Sequence, residues 1–107
     1  MEDKLKELAY HYGFTSQADM LCEEAAEFMV ALNKFRRGSS EAYAQLVEEL
    51  ADVLVVAEQL RYIFGEDAVN DIMNKKIERQ LIRMKEENEN DSQNTGKSLC
   101  NLWKHNS

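Results

Sequence analysis

Three glycines divide a chain that contains no proline into helix-length pieces, and this punctuation leaves few folds open. Gly13, Gly38 and Gly65 each suit the position just past a helix C-terminus, and residues that start helices follow each one: Thr15-Ser16, Ser39-Ser40-Glu41 and Glu66-Asp67. Between them apolar residues recur every three or four positions, the period of a helix with one buried face. The spacing predicts a short helix over 3–12 and long helices over 16–37, 40–64 and 67–88. Connections of a few residues make successive long helices antiparallel neighbours. The expected fold is all-α, an antiparallel helical bundle of one short and three long helices, in a domain spanning 1–88. From Glu86 the composition turns polar (EENENDSQNTGKS), so 89–107 reads as a mobile tail that ends in a small apolar knot of Leu99, Cys100, Leu102 and Trp103.

Charge and length narrow the function. The 107 residues carry 20 acidic against 13 basic side chains, a formal net charge of −7, which excludes a general binder of nucleic-acid polymers because these need a basic footprint. A phosphate-bearing small molecule is still open, since bound divalent cations invert the local charge of an acidic site. No apolar stretch approaches the roughly 18–20 residues of a membrane span, and MEDKLKEL has no signal-peptide core, so the expected setting is the cytoplasm, away from the membrane. Cys22 and Cys100 form no CxxC pair and read as free thiols.

The chemistry lies in acids that occupy apolar stripes. LCEEAAEF (21–28) and LVEELADV (46–53) align at an offset of 25, pairing Glu23 with Glu48, Glu24 with Glu49 and Glu27 with Asp52. Projected at about 100° per residue, Glu24 falls among Met20, Leu21, Phe28, Ala31, Leu32 and Phe35. Glu49 falls likewise among Leu46, Val53, Val56, Leu60 and Ile63, with Glu27 and Asp52 at the stripe edges and Glu23 further out. A buried carboxylate must be paired, protonated or metal-bound. Two carboxylates about 4 Å apart repel by roughly 4 kcal/mol at an effective dielectric of 20, so four converging acids call for a cation. The basic residues on these helices (Lys34, Arg36, Arg37 and Arg61) lie toward helix ends rather than opposite the acids. An all-oxygen donor set suits Mg²⁺, or Mn²⁺, rather than Zn²⁺, and no ExxH pair is present for a di-iron centre.

Other residues supply complements. On the last helix Lys76, Gln80 and Arg83 share a stripe with Val69, Ile72, Met73 and Met84, and Arg79 sits beside it. Such groups can neutralise carboxylates or grip a polyphosphate. Phe14 and Gln17, with Met20, precede the first acidic motif on its helix and are candidates to line a base pocket. The helix over 40–64 is apolar over most of its circumference (Leu50, Val53, Leu54, Val55, Val56, Leu60, Ile63), more than one small chain can cover. The bundle is therefore expected to be completed by oligomerisation, as a homodimer or a tetramer.

Glu23-Glu24-x-x-Glu27, followed after 21 residues by Glu49-x-x-Asp52, resembles the EExxE…ExxD signature of the MazG-type all-α nucleoside triphosphate pyrophosphohydrolases. HYGFTSQADMLCEEAAEFMVALNKFRRG, EELADVLVVAEQL and NKKIERQLIRM support the likeness over about 10–85. The resemblance implies a Mg²⁺-dependent helical dimer or tetramer that hydrolyses a (d)NTP to the monophosphate and pyrophosphate. It implies Glu24, Glu27, Glu49 and Asp52 as metal ligands, Glu23 as a supporting acid, and Glu27 or Glu24 as the base for a water that attacks the α-phosphate. Lys76 falls on the family's downstream lysine. Gln80 stands where relatives carry Arg or Asn, which leaves part of the phosphate contact to Arg79 or Arg83. Two alternatives share the motif: a phosphoribosyl-ATP pyrophosphohydrolase or dUTPase relative, and a non-catalytic helical protein that binds a nucleotide or a partner.

Overall fold

The computed structural model describes residues 1–93. Those residues form three helices, α1 (Glu2–Arg36), α2 (Ala42–Phe64) and α3 (Glu66–Gln93), and no strand occurs among them. The all-α expectation holds, with the expected short and first long helices running together as α1. The short and the first long helix are parts of one run, broken only at Gly13, whose φ of 78° and ψ of 179° are not helical. That backbone region is essentially reserved for glycine, so the chain changes direction there without a loop. α3 continues five residues past the expected end at 88, to Gln93. The apolar knot at Leu99–Trp103, with Cys100, lies outside the described residues.

Contacts divide the chain into two units, Met1–Val69 and a second that starts at Asn70. In the first, α1 packs on α2. Their direction is legible from four cross-helix pairs. The rings of Phe14 and Phe64 meet at 5.7 Å and those of Phe35 and Tyr43 at 6.1 Å. Between them Glu24 interacts with Asp52, and Glu27 with Glu49. As residue numbers rise on α1 they fall on α2, so the helices are antiparallel and in one register.

Small residues let the two backbones approach. Ala9, Ala31 and Ala42 are buried with Val56, Leu60 and Tyr62. A fully buried leucine or valine contributes about 1.5–3 kcal/mol, so this short seam carries much of the pairing. Ends are closed by backbone rather than by side chains. Ala42 and Tyr43 donate their N–H groups to the carbonyls of Ser39 and Ser40 at 3.1 and 3.2 Å. Gly65, at φ 112°, donates to the Arg61 carbonyl at 3.0 Å and ends α2. α3 starts at the next residue, with Glu66 and Asp67 in its first turn, where carboxylates suit the helix dipole.

The segment before Gly13 is anchored to the far end of α2. The Lys6 ammonium lies 5.3 Å from the centroid of the buried Tyr62 ring and 3.9 Å from Glu66. Arg61 donates to Glu58 through Nε at 2.9 Å and again through Nη2. That pairing keeps its charge away from the acidic motifs, as the sequence implied.

In the second unit, residues 71–90 of α3 are exposed, including Ile72, Met73, Ile77 and Leu81. No helix among the described residues is long and apolar enough to cross a membrane.

Candidate functional site

The antiparallel register turns two short motifs into one cluster. Glu24 and Glu27 stand one turn apart on α1, Glu49 and Asp52 one turn apart on α2, and the opposed directions set each acid of one helix against one of the other. Glu24, Glu49 and Asp52 each offer a carboxylate oxygen, and these oxygens lie within 4.8 Å of one another. Glu27 completes the set through its contact with Glu49. Glu24 and Glu49 are half-buried, whereas Glu27 and Asp52 are exposed. Projection placed these two pairs in the same order. Glu23 and Glu48 are exposed on the outer faces.

The electrostatics follow from this geometry. The Glu24 carboxyl is pushed above its ordinary range, first by desolvation and then by the charges of Asp52, Glu27 and Glu49. Glu49 is pushed up in the same way, by desolvation and then by Glu27 and Asp52. Burial and like charge act in one direction here, and no basic side chain stands among the causes. Oε2 of Glu24 and Oε2 of Glu49 are buried and have no hydrogen-bond partner among the described residues, while the approach of the Asp52 carboxyl to Glu24 and of Glu27 to Glu49 adds to the upward push on both groups. An unpaired buried acceptor costs about 1–3 kcal/mol, and more when charged. An ion with a preference for hard oxygen ligands would meet both needs, so the donor set fits Mg²⁺ or Mn²⁺.

A groove of about 360 Å³ runs from these acids between the helices, within the roughly 300–1,000 Å³ of small-molecule sites. Glu24 and Asp52 lie in its wall. Leu8 and Tyr12 come from the segment before Gly13, Met20 from α1, and Val55 and Val56 from α2. Two amides also line it. Gln17 and Gln59 are each only 5 % exposed, and the Oε1 atom of each is buried with no hydrogen-bond partner among the described residues.

Of the residues singled out in the sequence, the four acids are gathered in one place and Gln17 lines the same groove. Phe14 is not part of the lining; its exposed ring packs edge-on against Phe64. Lys76, Arg79, Gln80 and Arg83 are exposed in the second unit, spaced to share one side of α3. Gln59 was not singled out from the sequence. Its signal was its place three residues after Val56 and four before Ile63, on the apolar stripe of α2. An amide in such a stripe has the same need for a partner as a carboxylate, without a charge to draw attention. Cys22 is free and exposed.

No curated protein and no solved structure matches this chain. Residues 13–83, about two thirds of the chain, match the MazG nucleotide pyrophosphohydrolase domain. The match contains the acids of both motifs, the two buried amides and the basic side of α3. The chain belongs to the MazG nucleotide pyrophosphohydrolase domain family.

Proposed function

We propose that this protein is a Mg²⁺-dependent nucleoside triphosphate pyrophosphohydrolase that converts a (d)NTP to the (d)NMP and pyrophosphate. The observation that carries the reading is the pair of buried Oε2 atoms of Glu24 and Glu49, unpartnered among the described residues, in a cluster with Asp52 that Glu27 adjoins. A protein that merely displayed acids to solvent would leave no such atoms. Family membership supplies the substrate class.

Glu24, Glu27, Glu49 and Asp52 would hold the divalent ion, Mg²⁺ or Mn²⁺. When bound, the ion offsets the negative charge of carboxylates and phosphates and makes water a better nucleophile. The chain's own residues do the rest. Glu27, exposed at the mouth of the cluster, or Glu24 beside it accepts a proton as water attacks the α-phosphorus. The bond to the bridging oxygen breaks, and pyrophosphate leaves. Lys76, Arg79, Gln80 and Arg83 are assigned to phosphate binding on the strength of their donors and shared helix side. Glu23 supports the cluster from outside, and Gln17 serves the base; Phe14, packed on Phe64 outside the groove, is left out of this assignment. The reaction is set in the cytoplasm, with its substrate pool.

A homodimer, or a tetramer of paired dimers, is part of the same reading. Met29 and Val30 on α1 and Val47, Leu50 and Leu54 on α2 are exposed apolar side chains of the first unit. Apolar surface on this scale is normally covered by a partner. Light scattering that returned the 12.4 kDa monomer at micromolar concentration would count against assembly.

The decisive assay is pyrophosphate release from (d)NTPs with and without Mg²⁺. Turnover that needs the metal and is lost in Glu49→Gln and Asp52→Asn is the expected result. Tight Mg²⁺-dependent binding of a non-hydrolysable dNTP with no turnover would instead make the protein a nucleotide-binding module.

A further inference from the structure

The amide end of the groove has a demand of its own. Gln17 precedes Glu24 by seven residues on α1, and Gln59 follows Asp52 by seven on α2. Since Glu24 and Asp52 face each other in an antiparallel pair, the two glutamines also stand across from each other. They lie two helical turns, about 10 Å, from the acids in the same groove. Each is more than nine-tenths buried, and each leaves an acceptor oxygen unpartnered among the described residues, in a wall that also holds Leu8, Tyr12, Ser16, Met20, Val55 and Val56. No described residue donates to these oxygens. They are neutral, so a cation is not the natural partner. A flat, partly apolar molecule that carries N–H donors on its edge is.

We propose that Gln17 and Gln59 form a base-reading subsite that selects nucleotides whose base carries an exocyclic amino group. This rests on the nucleotide reading of the acidic cluster and adds the substrate preference. An amino group holds two N–H donors on one nitrogen, so one such group can serve an acceptor on each of the two opposed helices. A base whose hydrogen-bonding edge offers a single ring N–H between acceptors satisfies one oxygen and leaves the other buried and bare. Unmet buried acceptors are what allow a site to reject an analogue that lacks the donor. Cytosine is thereby preferred over uracil, and adenine over hypoxanthine. The apolar walls accept either ring size, so selection falls on the amino group rather than on pyrimidine against purine.

The test uses the full chain and nucleoside monophosphates, whose binding does not depend on turnover. Affinities for dCMP and dUMP, and for dAMP and dIMP, are measured by calorimetry, with the side-chain amide signals of Gln17 and Gln59 followed by NMR. The expected result is a preference for the amino-bearing member of both pairs of at least about tenfold. Both glutamine amide signals should shift on binding. Gln17→Met and Gln59→Met, checked for folding by circular dichroism, should each reduce the preference to about threefold or less. Equal affinities within each pair, an absence of binding, or a preference unchanged in both variants overturns the proposal. The wild-type comparison alone decides if the variants do not fold. Failure of the hydrolase reading looks different: amino-selective binding would persist while no (d)NTP released pyrophosphate.

Discussion

The two ends of the groove carry the same kind of anomaly in two chemical forms. At one end Glu24 and Glu49, and at the other Gln17 and Gln59, place polar oxygens where apolar side chains would pack. Both ends use the antiparallel register of α1 and α2, and both leave oxygens without partners. The acids repel one another, so their need is electrostatic, depends on pH and is met by a cation from any direction. The amides carry no charge. Their need is directional, independent of pH, and met only by a donor placed at the oxygen. On the proposed reading, one pair of helices separates the chemistry of a reacting group from the recognition of the rest of the molecule.

The strongest way to break this comparison is to neutralise one acid. Glu49→Gln or Asp52→Asn should lower the rate of pyrophosphate release by at least about a hundredfold, because a ligand and a unit of negative charge are lost together. The same change should leave the ligand-free protein at least as stable as the parent, since it removes a repelling charge from the cluster. A thermal melt beside the rate assay checks both halves. A variant that lost activity by unfolding would show the acids to be structural.

Much of the acid end was legible in the sequence, because a charge in an apolar stripe conflicts with the helical period and stands out. Glu24 and Glu49 were placed by projection alone, and the order of burial among the four acids follows it. The glycine punctuation at Gly38 and Gly65 gave the bounds of α2 to within two residues. Gly13 does interrupt the helix, as its spacing implies, but no loop follows it. Sequence cannot distinguish a glycine that ends a helix from one that turns it, because the outcome depends on whether the next segment packs on the same neighbour. Gln59 escaped notice for a related reason. An uncharged amide is tolerated on many helix faces, and only the wall across the groove makes its oxygen conspicuous.

Gly13 is where the amide end can be disturbed without touching a polar residue. Leu8 and Tyr12, before the break, wall the groove, and the acids lie wholly after it. A Cβ at position 13 would meet nothing within 4 Å, so Gly13→Ala tests the backbone alone. A φ of 78° with ψ near 180° costs a non-glycine residue about 1–3 kcal/mol. The variant should lose about that much stability in urea denaturation, and its nucleotide affinity should fall while metal affinity changes little. Equal losses at both ends would mean that the segment before Gly13 holds up the whole groove.

Filling the amide end should have the opposite effect on stability. Gln59→Leu replaces a buried, unpartnered acceptor with an apolar side chain of similar size, and the neighbours Val55 and Val56 are apolar. Removal of an unmet acceptor is worth about 1 kcal/mol, which for a domain of this length raises Tm by roughly 4–8 °C. The gain should appear in the ligand-free protein and shrink when nucleotide is present, because only the parent glutamine gains a partner on binding. A variant less stable than the parent would mean that the amide is satisfied in solution.

The smallest effect separates the two ends by proton binding. Glu24 and Glu49 titrate above the ordinary glutamate range in the folded chain, so between the ordinary value and the raised one the folded state holds more protons than the unfolded state. Stability then falls as pH rises through that window, the reverse of a carboxylate held by a basic partner. Metal-free protein should gain thermal stability, relative to a Glu24→Gln/Glu49→Gln variant, as the pH is lowered from neutral toward the ordinary glutamate value. Saturating Mg²⁺ should flatten or invert that difference, because protons and the ion compete for the same oxygens. Both acids are only half-buried, so solvent screening keeps the slope shallow. Gln59→Leu should shift the whole curve without changing this slope, since the amide it removes does not titrate. A slope that changed with position 59 would couple the two ends and end the division of labour drawn between them.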